Sequence, residues 1–106
     1  MKHVRHKDTG RRGWFVGSFE RAAHFTDQAE VTYCEEPAGQ MAPHYHTRCT
    51  ETMLIVKGSL TCQGETYGSG DILVFEPGDV NNCCLLETCT LVVVKVPAGG
   101  NDKVLV

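Results

Sequence analysis

The sequence has no apolar run approaching the ~20 residues that carry a helix across a bilayer, so it offers no candidate membrane-spanning helix. Its amino end is charged and carries no hydrophobic h-region, from which a cytoplasmic protein without a secretory signal is expected. Positive charge is also in short supply. The net charge is −3 with the histidines neutral, and such a balance provides no basic field to hold nucleic acid. The one concentration of cations, Lys2, Arg5, Lys7, Arg11 and Arg12, falls in the first 13 residues. That segment reads as a polar, solvated arm whose tip is disordered. Internal repeats and low-complexity tracts are absent, and almost nothing carries the 3.6-residue period of a helix.

Cysteine is not lacking. The six are Cys34, Cys49, Cys62, Cys83, Cys84 and Cys89. What is missing is any CxxC pair, which argues against a structural zinc ribbon. In a reducing compartment an even count does not imply disulfides, so these residues read as small apolar groups buried on strands. Cys49 stands apart because it lies between His46 and Glu51. A thiol there is a candidate redox-sensitive group or an added metal ligand.

A length of 106 residues is one domain, assigned here to residues 14–106 behind the arm of residues 1–13. Trp14–Val16 and Val31–Glu35 read as strands, and Ser18–Phe25 as one helical turn capped by Ser18. Further strands are expected at Thr52–Lys57, Leu60–Cys62, Glu65–Tyr67, Ile72–Phe75, Cys83–Leu86 and Thr90–Val96. Gln63-Gly64 suits a tight hairpin, and Pro77-Gly78-Asp79 is a strong turn signal. Short strands with this punctuation argue an all-β sandwich or barrel. Thr90–Val96 is apolar on both faces, Lys95 excepted. A neighbouring segment or a second subunit must therefore cover the outer one, and a homodimer is expected. The tail Asn101–Val106 is expected to return and pair.

The chemistry concentrates in Gly39–Gly58. On an extended strand His44 and His46 share a face. If Thr47–Thr50 close a hairpin, His46 and Glu51 become a directly opposed cross-strand pair. Two imidazoles and one carboxylate converging in this way suit a divalent transition metal.

This stretch resembles the first motif of the cupin superfamily, which runs glycine, five residues, His-x-His, three or four residues, Glu, six residues, glycine. His44, His46, Glu51 and Gly58 fit, while Gly39 stands one residue too near His44. Gly70–Leu85 resembles the second motif less closely. Gly78 is in place, but the proline has moved to Pro77 and Glu76 stands in its usual position. Asn81 replaces the usual fourth ligand, a histidine, and Leu85 the usual asparagine. The resemblance implies a double-stranded β-helix, or jelly roll, with its site in the barrel mouth. It implies His44, His46 and Glu51 as ligands of iron, manganese, nickel or zinc. Asn81, Cys83 and Glu76 are the candidates for the fourth position or for contact with a small-molecule ligand. A metal-dependent oxidative or isomerising enzyme on a small polar metabolite is one implied function. A non-catalytic, even metal-free, barrel that binds a small molecule or sugar is the other.

Overall fold

The computed structural model describes all 106 residues, and short strands dominate it. Along β6 (Thr50–Lys57) Glu51, Met53 and Ile55 turn inward, and along β11 (Cys89–Val96) Cys89, Leu91 and Val93 do the same. These two strands pair antiparallel through the middle of a six-stranded sheet. The sheet is completed by β1 (Trp14–Gly17), β2 (His24–Phe25), β3 (Glu30–Glu36) and β9 (Ile72–Phe75), in the order β2-β1-β3-β11-β6-β9. Opposite it lies a four-stranded sheet of β4 (Gly39–Gln40), β10 (Cys84–Leu85), β7 (Ser59–Cys62) and β8 (Glu65–Gly68). A third, two-stranded sheet joins β5 (His44–His46) to β12 (Lys103–Leu105). The tail therefore does return to pair, and it pairs with the histidine strand.

The core between the two larger sheets includes Met53, Ile55, Leu60, Phe75, Leu85, Leu91 and Val93, with Cys62, Cys83 and Cys89 among them. Truncating a fully buried member such as Leu60 to alanine costs about 2–5 kcal/mol. All six cysteines are free. Gly58 closes the turn from β6 to β7 at φ +106°, where a Cβ would lie 2.8 Å from the Cys89 sulfur and 2.9 Å from the Thr88 carbonyl. Only glycine fits there without strain. The hairpin at Gln63-Gly64 forms as expected, with positive φ at both residues.

Two local expectations are corrected. Ser18–Phe25 contains no helix. Its chain makes a turn in which the Ala22 N–H donates to the Phe19 carbonyl, and His24–Phe25 then pairs parallel to β1. Pairing with β1 wins over the weak local propensity of so short a segment. Secondly, the first 13 residues are not a wholly solvated arm. They form single 3-10 turns at His6–Asp8 and Arg11–Gly13, Thr9 is buried, and His6 packs edge-on against Phe15 and Tyr33. The strand expected at Ile72–Phe75 forms, and although apolar throughout it lies at a sheet edge, with Ile72 and Val74 exposed.

The outer face of the six-stranded sheet carries an apolar row, which His6 meets at its Tyr33 end. Tyr33, Val92, Leu54 and Ile72 lie side by side across four strands. Tyr33 and Ile72 are 46% and 59% exposed.

Candidate metal centre

His44 and His46 stand two apart on β5, so both rings enter the same side of the barrel, with centroids 5.3 Å apart. Glu51 reaches them from β6, but not as a hairpin partner. β5 pairs with β12 and bridges Asn81 at His44, while β6 pairs with β11 and β9. The residues between His46 and Glu51 carry the chain from one sheet to another, which corrects the expected cross-strand pair. The convergence survives by a different route. One ligand atom from each of His44, His46 and Glu51 lies within 4.8 Å of the others, and all three residues are buried.

The rings are oriented from behind. His44 Nδ1 lies 2.8 Å from the Ala42 carbonyl, an acceptor only, so Nδ1 carries the proton and Nε2 keeps its lone pair. Burial lowers the pKa of His44, so the ring is neutral at pH 7. His46 Nδ1 lies 2.7 Å from Asp102 Oδ1, while its Nε2 is 3.5 Å from Glu51 Oε2. That Nε2 is buried and has no hydrogen-bond partner. An orphaned buried nitrogen of this kind is rare, and a divalent ion would supply what it lacks. The donor set of two imidazoles and a carboxylate therefore fits iron, manganese, nickel or zinc.

Asp102 is buried and accepts three hydrogen bonds, from His46 Nδ1 and from the backbone N–H groups of Arg48 and Cys49. Burial by itself would raise its pKa. The donors outweigh burial and hold the carboxyl well below the usual range. Sequence reasoning missed this residue. A carboxylate–histidine pair behind a metal ligand fixes both tautomer and ring direction.

The expected accessory residues are placed differently from one another. Asn81 is buried beside His44, bound to it by two backbone hydrogen bonds. Its Oδ1 accepts the Cys83 N–H, so its amide nitrogen is the end that faces Glu51, 3.2 Å from Oε1. Asn81 thus orients the carboxylate and presents no lone pair to an ion. Cys83 is fully buried in the core, and burial pushes its thiol pKa far up. Glu76 is exposed at the rim and accepts from the Thr50 hydroxyl. The turn it opens still serves the site, since the Gly78 N–H donates to the His46 carbonyl. Cys49 is fully buried, and burial pushes its pKa to about 11. It therefore lacks the exposure and thiolate character that redox sensing requires.

Beside the three groups is a cavity of about 170 Å³. Its apolar wall includes Trp14, Met41, Met53, Leu91 and Val93, and its charged groups include Lys95 and Lys103. The Lys95 ammonium lies 3.9 Å from Glu51 Oε2 and 4.8 Å from the Trp14 ring centre.

Solved structures share this arrangement of sheets. An uncharacterized conserved protein with a double-stranded β-helix domain from Klebsiella pneumoniae superposes with a TM-score of 0.65 at 24% identity. The match covers 76% of this chain and 71% of that one. A cupin protein from Bacteroides fragilis gives a TM-score of 0.57 at 24% identity, over 71% of this chain and 70% of that one. This chain has the cupin fold. PAC13 from Streptomyces, solved with uridine, gives a TM-score of 0.73 at 15% identity and covers all of this chain and 91% of that one. No family model matches this sequence, and no curated protein does. At these identities the likeness is one of fold.

Within the cupin barrel, two of the missed residues left different traces in the sequence. Lys95 is the one charge on a strand face that otherwise carries Leu91 and Val93, an anomaly that marks it. Asp102 has no comparable signal, because its partner is 56 residues away.

Proposed function

We propose that this cupin binds a divalent transition metal through His44, His46 and Glu51 and acts on a small polar metabolite in the adjoining cavity. The observation that carries the reading is His46 Nε2, a buried nitrogen without a partner, aimed at the Glu51 carboxylate. Removing two imidazoles and a carboxylate from water is costly unless something pairs them. Ala42 and Asp102 occupy the far nitrogens of both rings, which leaves the two Nε2 atoms for the ion. A metal held by two histidines and one carboxylate keeps open positions and supplies Lewis acidity or oxygen activation. Asn81 holds the carboxylate, and the apolar wall around Trp14 limits access of water. Uridine bound to the similarly folded PAC13 supports a polar metabolite as the ligand class.

A second reading rests on Lys95. Its ammonium already lies 3.9 Å from Glu51 and partly meets the carboxylate's need for a cation. Under this reading the barrel is a metal-free binding module, and the histidines hydrogen-bond the ligand directly. Metal analysis of protein purified without chelator or added ions separates the two, with oxygen uptake on thiols, catechols and keto acids testing turnover.

We further propose that the protein is a homodimer. The row Tyr33, Val92, Leu54 and Ile72 forms a continuous apolar surface, and exposed patches of this kind mark interaction sites. A second copy covers it most simply.

A further inference from the structure

Lys95 and Glu51 are cross-strand partners on the inner face, and their ion pair is loose at 3.9 Å. The same ammonium lies over Trp14, and the lysine side chain is 17% exposed. An ammonium this far from water needs a counter-charge. A second cation, Lys103, lines the same cavity from β12 and makes no ion pair. Arg12, also on the lining, is taken up by Glu36 at 3.2 Å. Counting Glu51 against Lys95 and Lys103 leaves an uncompensated positive charge facing the cavity. A divalent ion on Glu51 would enlarge the excess, because the carboxylate that now faces Lys95 would be shared with the metal.

From this we infer that the cavity takes a small carboxylate-bearing molecule. Its anionic group is anchored by Lys95 and Lys103, and its carbon skeleton lies on Trp14. The inference deepens the metal-site reading but does not depend on it, since the two lysines exceed Glu51 with or without an ion. It also gives Lys95 a positioning role, because an anion held there sits beside the two histidines. Ammonium–carboxylate hydrogen bonds are among the stronger polar contacts, and the apolar wall strengthens them by excluding water.

Trp14 is the only tryptophan in the chain, so its emission reports the cavity directly. The experiment titrates malonate, succinate and glutarate at constant ionic strength into metal-loaded and chelator-treated protein. The uncharged diamides serve as controls. At least one carboxylate is expected to change the emission saturably in both forms, while its diamide does not. Lys95→Met and Lys103→Met are each expected to weaken the response by roughly ten-fold or more. Lys103 is exposed, so its variant keeps the test open if Lys95→Met does not fold. No response to any carboxylate, an equal response to the diamide, or unchanged affinity in Lys103→Met or in a folded Lys95→Met overturns the inference. Metal content is read on the same samples. Carboxylate binding by a protein that takes up no metal even when metal is supplied sinks the metal reading alone, and metal uptake without carboxylate binding sinks this one alone.

Discussion

His46 Nδ1 and Asp102 Oδ1 lie 2.7 Å apart although 56 residues separate them in the chain. The contact ties the last strand to the histidine strand, and Asp102 also accepts the N–H groups of Arg48 and Cys49. Asp102→Ala removes all three hydrogen bonds at once. It is expected to lower the unfolding free energy by about 2–4 kcal/mol, since buried donors are left unpaired. The variant should also lose metal affinity by about 10–100-fold. Urea unfolding and a competitive chelator titration check the two parts separately.

Asn81→Asp places a second carboxylate beside Glu51 Oε1, where the amide nitrogen now donates. One aspartate oxygen retains the Cys83 N–H, so the local backbone has no reason to move. Two buried carboxylates repel unless a cation lies between them. The Tm of the variant should fall well below that of the parent in chelator, with most of the difference recovered on adding manganese. An equal loss of Tm with and without manganese contradicts the placement of an ion at this carboxylate.

Acid should destabilise the metal-free protein in two stages. Burial lowers the pKa of His44 below its unfolded value, so below about pH 6.5 the unfolded chain takes up the proton first and stability falls. The carboxyl of Asp102 is likewise depressed by its donors. Its contribution is whole above the ordinary aspartate value of about 3.9 and drains away as pH falls further. Unfolding free energy measured by urea from pH 8 to pH 3 should therefore be level at the top and decline through both ranges. His44→Gln should remove the upper decline and keep the lower.

The cysteines should be largely silent. Cys49, Cys62, Cys83 and Cys89 are buried, and only Cys34 and Cys84 are partly accessible. The Cys49 thiol, pushed to about 11 by burial, carries almost no thiolate at pH 8. Native protein treated with an aromatic disulfide reagent should release at most two equivalents of thiolate promptly, and the remainder only in denaturant.

Sedimentation at micromolar protein should give a dimer, and Val92→Glu, at the middle of the outer apolar row, should give a monomer. A parent protein that already sediments as a monomer at these concentrations removes the dimer.

Much of the barrel was legible because its signals are local. Gln63-Gly64, Pro77-Gly78 and the apolar runs in β6 and β11 act over a few residues, and the structure keeps them. The histidines were legible because a two-residue offset on a strand fixes their common face. Partnership between strands was not legible from spacing. The residues Thr47–Thr50 suit a hairpin loop in length, yet His44–His46 pairs with Lys103–Leu105 instead. Sequence separation does not encode which edge a strand finds. Asp102 was invisible for the same reason, being a functional partner only once the tail has folded back. Motif position makes Asn81 a candidate for the fourth position or for ligand contact, but the direction of its amide is set by the Cys83 N–H, a contact no motif reveals.

The most direct test is elemental analysis of protein purified without chelator or added metal, repeated on His46→Ala. The account predicts close to one equivalent of iron, manganese, nickel or zinc per chain, and loss of that metal in the variant while the fold is retained by circular dichroism. A parent protein that carries no metal and takes up none on dialysis, with His46 Nε2 protonated against Glu51 by NMR, contradicts it.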